Sequence, residues 1–204
     1  MKNIIFDIGN VLIKWDPNPM YMKYFDNDLT KMQDFYEQTN IFTVNSEMDR
    51  GTSFEQTLMQ LANEFPHYHE PIRMWQTRWL ETIGGPINAS VKLLASLHAK
   101  QYPVYALTNF AAETFFTHIR HDIKYNFLNL FTDIVVSGVE KIIKPDPRIY
   151  EILLQRNNLD PKNCIYIDDS KANLLPAQNL GMTSIHFISA KKLADELQSL
   201  NISI

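Results

Sequence analysis

Four short segments carry side chains that could do chemistry together. Asp7 closes the apolar run Asn3-Ile4-Ile5-Phe6 and precedes Gly9-Asn10. Thr108-Asn109 follows the run from Pro103 to Leu107, Lys144 opens Lys144-Pro145-Asp146-Pro147, and Asp168-Asp169 follows Cys164 to Ile167. A carboxylate can act as a nucleophile and form a covalent intermediate that water later hydrolyses. Phosphoryl transfer asks in addition for a cation between nucleophile and phosphate, and for donors that neutralise the equatorial oxygens. Magnesium needs only one or two carboxylates plus waters and a carbonyl, which Asp7, Asp169 and the backbone oxygen of Gly9 could supply. The adjacent carboxylates of Asp168 and Asp169 repel one another, and a cation relieves that repulsion.

Taken singly, each of these residues also has an ordinary structural role open to it. A strand-terminal Asp such as Asp7, or the pair Thr108-Asn109, can bind loop amides. Asp168-Asp169 can cap a helix and place an acid in its first turn. A loop lysine such as Lys144 is usually solvated. The chemical reading therefore depends on the elements that would bring the four segments together.

Five apolar runs read as buried strands opening into loops: Asn3 to Phe6, Pro103 to Leu107, Asp133 to Val136, Cys164 to Ile167 and Thr183 to Ile188. Between them lie stretches with helical spacing, with Val91, Leu94, Ala95 and His98 on one face, then Ile149, Leu153 and Leu154, then Leu174, Ala177 and Leu180. This alternation predicts an α/β fold with a doubly wound, Rossmann-like parallel sheet, whose ligand site lies beyond the carboxyl ends of the strands. Asp7, Thr108-Asn109 and Asp168-Asp169 sit at those ends. Residues 15–85 do not alternate and read as an inserted helical unit, leaving 1–14 and 86–204 as the core. Within the insert, Ser53 with Glu55-Gln56 marks a helix start, and Trp75, Trp79 and Glu81-Thr82 read as one helix stopped by Gly84-Gly85-Pro86. A helix from Leu193 to Leu200 closes the chain.

The chain has 204 residues, enough for one mid-sized domain or a core with a smaller insertion. With 45% hydrophobic and 21% charged residues, it fits neither a disordered nor a fibrous class. The net charge of -4 comes from interspersed charges without a Lys/Arg cluster, which disfavours nucleic acid as a partner. Cys164 is the single cysteine, so no intramolecular disulfide forms, and a reducing, cytoplasmic setting is expected. The run from Ile4 to Ile13 is broken by Asp7, Gly9 and Asn10; it lacks a signal-peptide layout and the length to span a bilayer.

Phe6-Asp7-Ile8-Gly9-Asn10-Val11-Leu12, Leu107-Thr108-Asn109, Lys144-Pro145-Asp146-Pro147 and Ile167-Asp168-Asp169-Ser170, in that order, resemble the four motifs of the haloacid dehalogenase superfamily. The resemblance covers the whole chain. It implies a magnesium-dependent hydrolase with Asp7 as nucleophile and Asp169 as direct metal ligand. Asp168 would be a further ligand or an orienter of bound water. Thr108 and Asn109 would face the phosphate oxygens with hydroxyl and backbone amide, and Lys144 would neutralise both the phosphate and Asp7. The insert would be a cap that closes over the substrate and excludes water.

One position departs from the family pattern. Many phosphatases of this superfamily carry a second aspartate two positions after the nucleophile, where it protonates the leaving group and then deprotonates water; here that position is Gly9. Either another group supplies the proton, or the leaving group needs little help, or the protein is slow on phosphates. The Asp-x-Gly-Asn pattern, with Trp15-Asp16 and Arg50-Gly51, resembles a branch regarded as sugar-phosphate phosphatases. An anomeric phosphate leaves as a hemiacetal oxygen less basic than an ordinary alkoxide. A small phosphorylated metabolite is the expected substrate, with a sugar phosphate favoured and an acyl phosphate the other candidate whose leaving group needs little help.

Asp16 is one candidate substitute acid, against a plainer reading as a turn carboxylate before Pro17. Trp75, Arg78 and Trp79 are either core residues or the lining of a sugar or acid site. His67-Tyr68-His69 reads as a surface turn rather than a metal site, and Cys164 as buried and inert. Two other functions compete. A cofactor-free 2-haloacid dehalogenase would attack carbon through Asp7 and expel halide, which leaves without a proton, although Asp168-Asp169 suits a divalent cation better. A catalytically weak phosphate-binding protein is the third reading.

Overall fold

The computed structural model describes residues 2–204. Its strands are β1 (Asn3–Phe6), β2 (Ile13–Trp15), β3 (Ile83–Pro86), β4 (Val104–Thr108), β5 (Asp133–Val136), β6 (Cys164–Asp168) and β7 (Thr183–His186). Five of them form one parallel sheet in the order β5-β4-β1-β6-β7, with β1 at its centre. Successive side chains of a strand point to opposite faces. Ile4 and Phe6 accordingly enter one apolar cluster and Ile5 the other.

Helices cover both faces, which is why the central strands are continuous apolar runs rather than alternating ones. The core helices are α6 to α11, numbered after five in the insert. On the face of Ile4 and Phe6, α6 (Asn88–Ala99) contributes Leu93, Leu94 and Leu97, and α11 (Ala190–Ser199) contributes Leu193 and Leu197. On the other, α9 (Pro147–Arg156) supplies Ile149, Tyr150, Leu153 and Leu154, and α10 (Lys171–Asn179) supplies Leu174 and Ala177. The short α7 (Ala112–Thr114) and α8 (Ser137–Glu140) follow β4 and β5. The strand order reverses direction at β1, with β4 on one side and β6 on the other, so the carboxyl ends of these three strands meet at a crevice.

The chain leaves this crevice along β2 and returns along β3, paired antiparallel with Ile13 opposite Pro86 and Lys14 opposite Gly85. Between them run α1 (Asn18–Tyr24), α2 (Leu29–Thr39), α3 (Ile41–Asp49), α4 (Phe54–Glu64) and α5 (His69–Thr77). Ser53 caps α4 as its sequence predicts, accepting from the Gln56 amide at 3.4 Å.

Four local expectations differ. The expected helix through Trp75 and Thr82 is two pieces: α5 ends at Thr77, Arg78 leaves the helical region with φ -124°, and Trp79–Thr82 is a separate 3-10 turn. Gly84-Gly85-Pro86 does not stop a helix but forms β3. A Cβ on Gly84 would meet the Lys14 side chain at 2.9 Å, so the glycine serves close approach to β2. On α6 the buried residues are Ser90, Leu93, Leu94 and Leu97, not the expected Val91, Ala95 and His98. Three leucines offer more apolar area than that alternative stripe, so the helix turns them inward. The last helix begins at Ala190, a turn earlier than expected, because Ser189 caps it through the Lys192 amide at 3.2 Å.

Candidate active site

Asp7 follows β1 directly, and its backbone amide continues the sheet by donating to Ile167 O at 2.8 Å. Its side chain is buried, with Oδ1 accepting from the Ile8 amide at 2.7 Å and from Lys144 Nζ at 2.9 Å. Lys144 is buried as well, far from the solvated state usual for a loop lysine. Its ammonium spends its three donors on Asp7, on Asp168 Oδ2 at 2.7 Å and on Leu107 O at 3.0 Å. Burial works to lower the Lys144 pKa, but Asp7 and Asp168 raise it above the ordinary value, so the cation persists.

Asp168 and Asp169 are adjacent but differ in circumstance. Asp168 is fully buried at the end of β6, and its oxygens also accept from the Tyr166 hydroxyl, the Ser170 amide at 2.8 Å and Asn173 Nδ2 at 3.0 Å. It is the anchor of Lys144. Asp169 is half-buried and faces the cavity, with only its backbone oxygen committed, to His186 Nε2 at 2.9 Å. The carboxylate oxygens of Asp7, Asp168 and Asp169 lie within 4.8 Å of one another. Against three carboxylates stands a single ammonium. Burial first, then Asp168 and Asp169, push the Asp7 carboxyl up to about 7 against the pull of Lys144, and burial and Asp168 raise Asp169. An all-oxygen cluster with this surplus of negative charge fits a hard divalent cation.

Thr108 ends β4, fully buried, and its hydroxyl has no hydrogen-bond partner among the described residues, which leaves a donor for a ligand oxygen. The Asn109 side chain instead clamps the Lys144 backbone, donating to its carbonyl at 3.0 Å and accepting from its amide at 2.8 Å. Together these contacts hold the Lys144 loop against β1, β4 and β6.

A cavity of about 320 Å³ opens over this cluster. Its floor includes Asp7, Gly9, Asn10, Asn109 and Asp169, and its walls include Trp15, Phe42, Asn45, Asp49, Trp79 and Phe110. The expectations for the insert divide here. Trp79 lines the cavity. Trp75 is fully buried, and Arg78 pairs with Glu81 at 2.6 Å instead of facing the cavity. Asp16 takes the plainer of its two readings: its carboxylate accepts from the Asn18 amide at 3.0 Å, and it does not line the cavity. Exposed His67 contacts Gln38 at 3.3 Å. Cys164 is buried, and burial raises its thiol to about 11. No helix among the described residues is long and apolar enough to cross a membrane.

Sequence reasoning did not find Asp49, Asn45, Phe42 or Ser137. Asp49 adjoins Arg50-Gly51, which stood out in the sequence, but only the fold of α3 brings it over the cavity.

Comparison with known proteins places the chain among relatives. The family model for haloacid dehalogenase-like hydrolases matches residues 1–181. A sesquiterpene phosphatase of Aspergillus oryzae is 26% identical over 98% of this chain and 96% of its own length. Flavin mononucleotide hydrolase 1 of Arabidopsis thaliana is 29% identical over 55% of this chain and 44% of its own. Among solved structures, a HAD family enzyme of Bacteroides thetaiotaomicron superposes with a TM-score of 0.73 at 19% identity, covering 97% of this chain and 98% of that one. The same enzyme has been solved in complex with magnesium and inorganic phosphate. A dehalogenase superposes with a TM-score of 0.69 at 16% identity, covering 97% of each chain. At these identities the structural likenesses show a shared fold.

Proposed function

The chain belongs to the haloacid dehalogenase-like hydrolases, and from that premise we propose that it is a magnesium-dependent phosphatase of small phosphomonoesters, working through an aspartyl-phosphate on Asp7. The observation that carries this reading is the buried Lys144 held between Asp7 and Asp168, with Asp169 free beside them at the cavity floor. Asp7 attacks phosphorus. Its orientation is fixed by the two bonds to Oδ1, one from the Ile8 amide and one from Lys144. Lys144 and the Thr108 hydroxyl oppose the charge of the phosphoryl oxygens. Magnesium, held by Asp7, Asp169 and the Gly9 carbonyl with Asp168 behind them, would neutralise phosphate charge at the nucleophile.

We assign residues 15–85 as the cap and 1–14 with 86–204 as the hydrolytic core. The cavity lies where the two meet, with the core forming its floor and the insert much of its walls. No Lys, Arg or His is among its described lining, while Trp15, Phe42, Trp79 and Phe110 present aromatic faces beside Asn10 and Asn45. That lining suits an uncharged body carrying one phosphate, such as a sugar monophosphate, stacked on the rings and hydrogen-bonded by the amides. A haloacid carboxylate without a metal would face three carboxylates and one lysine already shared by two of them, which argues against the dehalogenase reading.

The test is phosphate release from a panel of sugar phosphates, flavin mononucleotide and isoprenyl phosphates, with magnesium or with EDTA. Release that needs magnesium and falls at least about 10³-fold in Asp7→Asn is the expected result. Halide release from 2-chloropropionate in EDTA would replace this reading with the dehalogenase.

A further inference from the structure

An alkoxide is a poor leaving group, and the residue two positions after Asp7 is Gly9, which has no proton to give. The titratable side chains lining the cavity are Asp7, Asp49 and Asp169. Two of them are already committed to the nucleophile and the cation. The third comes from the insert, at the last residue of α3.

Asp49 is held both by its own helix and by the core. Its Oδ2 accepts from Asn45 Nδ2 at 2.9 Å, and Asn45 Oδ1 in turn accepts from the indole of the fully buried Trp75 at 3.0 Å. The Asp49 carbonyl accepts from Ser137 Oγ at 2.6 Å, and Ser137 Oγ in turn accepts from the Phe110 amide at 2.8 Å, which ties the end of α3 to the core. Two residues on, Gly51 at φ +101° packs so closely on the core that a Cβ there would lie 2.8 Å from Gly138 O.

Resting on the phosphatase reading above, we propose that Asp49 is the acid–base residue of the reaction, doing from the insert what Gly9 cannot do from the core. In the first step Asp7 forms a bond to phosphorus, the bond from phosphorus to the substrate oxygen breaks, and the Asp49 carboxyl gives its proton to that oxygen, releasing an alcohol. In the second, the Asp49 carboxylate takes a proton from water, whose oxygen bonds to phosphorus as the Asp7 ester breaks. Asp7 and protonated Asp49 are restored and inorganic phosphate leaves. Burial pushes the Asp49 carboxyl up to about 7, with the Ala111 amide and Asn45 pulling it back, so both forms are populated near neutrality. The charged groups around it are Glu47 on its own helix and Arg50 just after it, paired at 3.6 Å, Lys141 beside Gly51, and Asp7 and Asp169 in the same cavity lining.

Comparing two substrates in the magnesium-loaded enzyme isolates this role. On p-nitrophenyl phosphate the leaving group needs no proton, whereas on glycerol 1-phosphate it does. Asp49→Asn should keep kcat/KM on the nitrophenyl ester within about threefold while losing about 10²-fold or more on the alkyl ester. In the wild type, the alkyl ester should show a fall in kcat/KM above about pH 7, where the acid is lost, that the nitrophenyl ester lacks; Asp7 and Asp169 titrate alike for both substrates and cancel. Equal losses on the two esters, an unchanged alkyl rate, or matching wild-type pH profiles would overturn the assignment. So would wild-type activity confined to the nitrophenyl ester, with the phosphatase reading left standing. No magnesium-dependent phosphate release from any ester would overturn both.

Discussion

At the scale of single residues, Gly9 is informative because of the space around it. A Cβ built there meets nothing within 4 Å, and its φ is not in the left-handed range, so a side chain is neither blocked nor strained. Gly9→Asp should therefore fold and place a carboxyl at the cavity floor. It should raise kcat/KM on glycerol 1-phosphate by about tenfold or more, and restore activity to Asp49→Asn. Steady-state kinetics on the single and double variants checks this, and a double variant as slow as Asp49→Asn would show that the two positions are not interchangeable. The candidate residue types were legible, Asp7, Thr108 and Asp169 where strands end and Lys144 in the loop before α9. Their division of labour was not. Asp168 anchors Lys144 and the Asn109 side chain clamps its loop, because burial and hydrogen-bond saturation depend on neighbours distant in sequence.

At the scale of elements, the junction between α3 and the core is a close backbone approach. Gly51 has φ +101° and no room for a Cβ against Gly138 O. Gly51→Ala should cost about 1–3 kcal/mol in urea denaturation, through backbone strain and the displaced contact, and should lower kcat by shifting Asp49. A variant equal to the wild type in both would mean that α3 is positioned by other contacts. The strands were legible because each is a short apolar run ending in polar residues. The insert was legible as helical from its composition and from Ser53. What misled was local. Gly84-Gly85-Pro86 carries the letters of a helix stop, yet β2 lies against it, and glycine is needed for that approach. The buried face of α6 differed from its expected stripe because several leucines competed for the inward side.

At the scale of the whole molecule, folding gathers three carboxylates and one buried lysine at the meeting point of β1, β4 and β6. Burial first, and then the charges of Asp168 and Asp169, raise the Asp7 carboxyl, and a bound cation would relieve that repulsion. Magnesium at about a hundred times its Kd should stabilise the fold by about 2.7 kcal/mol, read as a rise in Tm that EDTA reverses and Asp169→Asn abolishes. An unchanged Tm in magnesium would count against the site. The sequence by itself determined the strand ends, their order and the residue types that gather there, since these follow from local runs of apolar and polar side chains. Only the tertiary structure decided which aspartate anchors the lysine and which faces the cavity, and that Asp49 joins them from the insert. Those outcomes depend on contacts between segments as far apart as α3 and Ser137, which no local pattern records.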